Sequence, residues 1–304
     1  MKRHLTSLFD LTADDMKDLF DRAQWMKKMR REGKPHRSLE GKSLAMIFEK
    51  SSTRTRVSFE VGMFELGGHA LNLTSQGSQL GRGETYEDTA RVLSRYVHGI
   101  MVRTFAHTTT QRFAAAATVP VINGLDDLYH PCQVMADMLT VQEHKGAVRD
   151  CTVAYVGDGN NLANTWITAS MILGFPLRIA TPKGFEPAAD VLGQIAKGSM
   201  NHILITNDPV AAVKDADVIN TDTWVSMGQE GAGEADKKKL FAPYQVNRVL
   251  MSHAKKDAIV LHCLPAHRNE EITDEVMDGP SSRILDQAEN RLHIQKAIME
   301  ALMK

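Results

Sequence analysis

The sequence predicts an α/β fold of two domains, each a parallel sheet flanked by helices. Two observations carry that prediction. Short β-rich apolar runs alternate with longer amphipathic stretches, the pattern of βαβ units with helices on both faces of a parallel sheet. The length, 304 residues, suits two cores at roughly 150 residues per domain.

The elements follow in order. Thr12 caps a helix with Asp14 and Asp15 in its first turn, and Met16, Leu19, Phe20, Ala23 and Met26 supply its apolar stripe. Ser43–Phe48 is an apolar strand. The next helix takes its stripe from Val57, Val61 and Phe64, with Phe59 a further candidate, and Gly67-Gly68 ends it. Residues 99–102 form a strand, 110–118 an Ala-rich helix and 119–122 another strand. From Pro131 to His144 the pattern is helical, with Val134, Met138 and Val141 on one face. After Lys145-Gly146 come strands at 151–156, Leu177–Ala180, 202–205, 218–220 and 259–261, separated by helical stretches. A last helix covers 286–303. The expected domains are therefore 1–144 and 145–285, with 286–304 returning to pack on the first.

Composition excludes several classes. The net charge is −1, with 36 Lys and Arg against 37 Asp and Glu, so the basic footprint of a nucleic-acid binder is missing. A local anion site remains open to such a chain, because one cleft can gather a few arginines. The first twenty residues hold no apolar run of signal-peptide length, and the apolar stretch 113–122 is about half a membrane span. The expectation is a cytoplasmic protein with no membrane partner. Its three cysteines, Cys132, Cys151 and Cys263, lack CxxC spacing, which argues against a disulfide framework or a zinc knuckle.

Five motifs carry chemistry. Ser51-Ser52-Thr53-Arg54-Thr55-Arg56 lies between a strand and a helix, where hydroxyls, unpaired helix amides and a planar guanidinium suit phosphate oxygens. The plainer reading is an N-cap with solvated arginines. Arg54 and Arg56 lie about 200° apart around a helix, so Arg56 is expected to pair with a carboxylate elsewhere. Gly41-Lys42-Ser43 resembles a P-loop end, but His36 stands where that loop needs glycine.

Gly157-Asp158-Gly159-Asn160-Asn161-Leu162 has the GxG of a dinucleotide turn, with Leu162 at the third glycine position and no ribose-binding acid about twenty residues on. A tight βα turn, or an Asn amide offered to a ligand, fits equally, and an NAD(P)-dependent oxidoreductase is the distant alternative. In Tyr129-His130-Pro131-Cys132-Gln133, Pro131 opens a helix and sets His130 and Gln133 near one helix end. They suit a polarised carbonyl, or a structural cap. Arg103 follows a strand, where open sheets deliver ligand-binding residues. Asp222 to Gly228 puts a carboxylate and the Ser226 hydroxyl after a strand, suited to an amino-acid head group or forming an ordinary polar loop. In His262-Cys263-Leu264-Pro265, neighbours on an extended segment point apart, so His262 is poorly placed to activate Cys263.

Together these motifs, with Glu289-Asn290-Arg291, resemble the ornithine carbamoyltransferases of the aspartate/ornithine carbamoyltransferase family over almost the whole chain. The resemblance implies transfer of a carbamoyl group from carbamoyl phosphate to the side-chain amine of L-ornithine, without metal or organic cofactor. It implies phosphate contacts from Ser52, Thr53, Arg54, Thr55 and Arg291, and carbamoyl contacts from Arg103, His130 and Gln133. Asn161, Asp222, Ser226 and Met227 would hold ornithine, with Cys263 and Leu264 beside the reacting amine. The loop at 79–84, with Gln79, would reach a neighbouring subunit of a homotrimer or a multiple of trimers. Putrescine or acetylornithine is the alternative amine. Arg103, His130 and Cys263 are the catalytic candidates.

Overall fold

The computed structural model describes residues 3–74, 83–198, 200–225 and 234–304. It divides into two compact units, Met1–Ala136 with Asn290–Lys304, and Asp137–Glu289.

Unit one opens with α1 (Ala13–Arg31), where Thr12 accepts from Asp15 N and the Asp15 carboxylate returns to the Thr12 backbone. That reciprocal cap satisfies two amides left open at a helix start. Strand β1 (Ser43–Phe48) leads into α2 (Thr53–Glu65), then β2 (His69–Thr74), α3 (Tyr86–Leu93), β3 (Gly99–Arg103), α4 (His107–Ala116), β4 (Val121–Leu125) and the start of α5 (Pro131–Lys145). All pairings are parallel, in the order β2-β1-β3-β4. Ala45, Ile47, Ile100, Val102 and Val121 line one core, against Phe113 and Ala90. Central parallel strands are covered on both faces, which is why they read as continuous apolar runs.

Two local expectations need correction. The buried face of α2 is Thr55, Phe59, Gly62 and Met63, whereas Val57 is 50% and Phe64 78% exposed. Both sets have helical spacing, and of the expected stripe Phe59 alone is fully buried. Strand β2 is an addition to the expected elements, since His69, Asn72 and Thr74 interrupt the apolar run of HALNLT, which lies half-exposed on the sheet edge.

Unit two holds β5 (Val153–Val156), α6 (Asn161–Leu173), β6 (Leu177–Ala180), α7 (Ala189–Lys197), β7 (Ile203–Thr206), α8 (Pro209–Val213) and β8 (Val218–Thr221). It continues through α9 (Glu234–Phe241), α10 (Arg248–Met251), β9 (Ile259–His262) and α11 (Asp274–Met277), to the start of α12 (Ile284–Met303). Its five parallel strands run β7-β6-β5-β8-β9. In each sheet the chain moves outward from its first strand and then returns to that strand's other side. The resulting switch points, between β1 and β3 and between β5 and β8, are where open α/β sheets form ligand crevices at strand carboxyl ends.

From Asn290 onward α12 belongs to unit one, held to α1 and α2 by polar bonds. Lys296 Nζ reaches Glu65 Oε2 at 2.7 Å. Buried Glu300 takes Arg22 Nε and Nη2 at 2.5 and 2.9 Å and lies 2.6 Å from His36 Nε2. Burial pushes the Glu300 carboxyl upward, but the bonds from Arg22 and His36 outweigh it and hold the group at about 2. A depressed acid stabilises the fold above its unfolded value and loses that contribution as pH falls toward the folded one. Glu300→Gln is therefore expected to be less stable than wild type at pH 7, with the gap narrowing from pH 5 to pH 3, as read by urea unfolding.

Candidate active site

In unit one the site starts at the carboxyl end of β1. Ser52 caps α2, its Oγ accepting from Thr55 N at 3.2 Å, so the hydroxyl-rich turn delivers the open amides of a helix N-terminus. Thr55 is the first fully buried residue of that helix. Its Oγ1 accepts from Arg103 Nη1 at 3.2 Å, at the end of β3, and from Arg291 Nη2 at 2.8 Å, on α12. Arg54 is half-buried on the same turn and has no hydrogen-bond or ion-pair partner among the described residues. Arg56 instead pairs with Glu60 at 3.0 Å, on its own helix.

His130 and Gln133 are buried at the start of α5, where the His130 carbonyl accepts from Gln133 N at 3.1 Å. Burial, then the charges of Arg291, Arg103 and Arg54, hold the His130 imidazole well below its ordinary value. That direction favours the neutral ring at pH 7. Cys132, beside it, is pushed up to about 12 by burial and gives its thiol to Asn123 O at 3.6 Å. It is an inert core residue.

Sequence reasoning missed what places His130. Asp126, fully buried, accepts from Leu128 N and Tyr129 N at 3.0 and 2.8 Å, folding the chain into the turn that precedes it. Its other oxygen takes Thr110 Oγ1, Asn123 Nδ2 and His107 Nδ1 at 3.0, 2.8 and 2.7 Å. The Asp-Asp pair before Tyr129 was the available signal, because Asp bonds readily to amides two and three residues on. Lys50 adds an ion pair to Asp127, joining the turn after β1 to this one.

In unit two the residues gather at the ends of β5, β8 and β9. Gly157 has φ +145°, and a Cβ on Gly159 would come within 2.4 Å of the Glu186–Pro187 backbone, so both glycines answer to chain packing. That accounts for GxG without a pyrophosphate. Asn160 caps α6, accepting from Leu162 N at 2.9 Å, and its Nδ2 donates to Asp222 Oδ2 at 2.8 Å. Asp222 Oδ1 receives Thr223 N and Cys263 Sγ, each at 2.8 Å. Asn161 follows as the first residue of α6, and Leu264 lies directly after Cys263. Asp158 lies 2.8 Å from Lys237 Nζ, and burial, opposed by that lysine, raises its carboxyl. Gln79, Ser226 and Met227 lie outside the described residues.

Ligand atoms of Asp222, His262 and Cys263 lie within 4.8 Å of one another, the spacing of a metal cluster. Both His262 nitrogens are already bonded, however, Nδ1 to Leu264 N and Nε2 to Glu271. The residues therefore do not fit a metal without breaking those bonds. Among the described residues, no helix is long and apolar enough to cross a membrane.

Two family descriptions match the chain: "Aspartate/ornithine carbamoyltransferase, carbamoyl-P binding domain" over residues 3–143, and the corresponding Asp/Orn binding domain over 149–302. A protein of Syntrophus aciditrophicus named ornithine carbamoyltransferase is 54% identical over 100% of both chains. One of Pyrococcus furiosus named "Ornithine carbamoyltransferase, anabolic" is 54% identical, covering 99% of this chain and 96% of its own. A solved ornithine carbamoyltransferase of Pyrococcus furiosus superposes with a TM-score of 0.94 at 53% identity, covering 99% of this chain and 97% of that one.

Three outcomes are expected. The His130 ring should show no titration in 15N NMR between pH 6 and 8. Because the unfolded histidine does take up a proton, stability should decline below about pH 6.5. Asp126→Ala, which strands several buried donors, should lose about 3–5 kcal/mol in urea unfolding.

Proposed function

The chain belongs to the aspartate/ornithine carbamoyltransferase family, and from that premise we propose that it transfers the carbamoyl group of carbamoyl phosphate to the side-chain amine of L-ornithine, giving L-citrulline and phosphate. The observation that carries the reading is the Thr55 hydroxyl, which accepts from Arg103 and Arg291 at the mouth of α2. A small dianion is the ligand that such an array of guanidiniums and helix amides favours.

Ser52, Thr53, Arg54, Thr55 and Arg291 hold the phosphate, with Gln79 added from the 79–84 loop of a neighbouring copy. Arg103, His130 and Thr55 donate to the carbamoyl oxygen, and Gln133 meets the amide end. Asn161, Asp222, Ser226 and Met227 hold the ornithine head group, and Cys263 and Leu264 border its side-chain amine.

The chemistry follows from charge. The free amine titrates near 10.4, so the reactive neutral form is scarce at pH 7 and the site has to accept or generate it. Its nitrogen bonds to the carbamoyl carbon, and the oxygen gains negative charge as that carbon becomes tetrahedral. One preorganised donor at such an oxygen contributes about 2.7–4 kcal/mol. The carbon–oxygen bond to phosphate then breaks, and the departing phosphate takes the amine's proton. A neutral His130 among cations suits oxygen stabilisation better than proton uptake. Cys263 and Leu264 then shape the amine's approach without forming a covalent bond.

The biosynthetic direction is supported by the relative named anabolic. A homotrimer, or a multiple of it, agrees with the exposed Val57 and Phe64 on α2, apolar groups suited to packing between copies. We place the enzyme in the cytoplasm.

Arg54→Ala should lower kcat/KM for carbamoyl phosphate by about 100-fold while the protein stays folded. A folded variant with near-normal citrulline formation would refute the phosphate assignment. In an amine panel, ornithine should be preferred to acetylornithine, putrescine and aspartate, and preference for any other would replace the proposed acceptor.

A further inference from the structure

Glu271 is fully buried in unit two and takes no part in the contacts proposed above. Its Oε1 accepts from His262 Nε2 at 2.9 Å and from His267 N at 2.6 Å. The other nitrogen of His262, Nδ1, lies 2.9 Å from Leu264 N. A backbone amide can only donate, so Nδ1 is the acceptor and the ring hydrogen sits on Nε2, facing Glu271. The ring's own backbone is fixed as well, since His262 N donates to Gln287 Oε1 at 2.8 Å.

The consequence falls on the next two residues. Leu264 stands at φ +59°, a left-handed conformation that a residue with a Cβ resists. Its amide bond to His262 opposes that resistance. Cys263, between the two, gives its thiol to Asp222 at 2.8 Å. Were the ring hydrogen on Nδ1 instead, two N–H groups would face each other and the turn would lose its anchor. The acceptor at position 271 excludes that tautomer.

We propose that Glu271 is a positioning residue for the ornithine half-site, acting through His262 to hold the Cys263–Leu264 turn and seat its thiol on Asp222. This rests on the reading that Asp222, Cys263 and Leu264 receive ornithine.

Conservative and non-conservative changes separate positioning from bulk packing. In Glu271→Gln the amide oxygen can still accept from both His262 and His267, and the flipped amide is excluded because it would set NH2 against the His267 N–H. In Glu271→Leu no acceptor remains. Citrulline formation should therefore be measured for wild type and both variants, varying each substrate in turn. Glu271→Leu is expected to lose about 10- to 100-fold in kcat/KM for ornithine, with KM for carbamoyl phosphate within about 3-fold. Glu271→Gln should stay within about 3-fold of wild type for both substrates. 15N NMR of the wild-type protein should show His262 protonated on Nε2, which tests the proposal even where Glu271→Leu does not fold. A folded Glu271→Leu with unchanged ornithine kinetics, an equal loss toward both substrates, or a proton on Nδ1 in wild type would each overturn it. Wild-type protein that makes no citrulline would overturn the transfer reading and this proposal with it, whereas an active wild type matched by Glu271→Leu would overturn the role of Glu271 alone.

Discussion

Everything in unit one is arranged around like charges brought together. Arg103 and Arg291 both donate to one threonine hydroxyl, and after burial their charges, with that of Arg54, disfavour protonation of the buried His130 ring. Two like charges about 5 Å apart repel by about 3 kcal/mol at an effective dielectric of ~20, so the arrangement favours an anion. The surrounding structure resists that repulsion. β1 and β3 fix two of the cationic elements side by side, and the α12 network through Glu300 and Lys296 brings in the third.

Unit two answers with the opposite sign. Asp222 is held by an asparagine amide, a backbone amide and a thiol, none of them a cation. Such a carboxylate remains an acceptor for an ammonium group. Both sites occupy the switch point of a parallel sheet, where neighbouring strands send their chains in opposite directions and leave an open crevice. The same topology presents guanidiniums at the strand ends of one unit and a carboxylate at those of the other, because the residues there differ.

Much of this was legible in the sequence where the physics is local. Strands covered on both faces read as unbroken apolar runs, and the cap of α1 read from Thr12 with Asp15. The edge strand β2 did not, since His69, Asn72 and Thr74 break up its apolar run, and the face of α2 did not, because two sets of its positions share helical spacing. The hydroxyl turn at 51–56 was visible as chemistry, yet nothing local tied it to Arg291, 236 residues away. The neutrality of His130 was equally hidden, being a product of burial among distant arginines. Asp126 and Glu271 look like ordinary loop acids until the fold buries them, and their roles come from which amides they meet.

The central claim is that the turn at 52–55, with Arg291, is the seat of a phosphoryl dianion. A crystal structure with phosphonoacetamide, a non-transferable mimic of carbamoyl phosphate, tests it most directly. The account predicts the phosphonate at the α2 N-terminus with oxygens about 3 Å from the Thr55 and Arg54 donors, and the amide oxygen facing His130. Phosphonate density elsewhere, with that turn unliganded at saturating mimic, would contradict it.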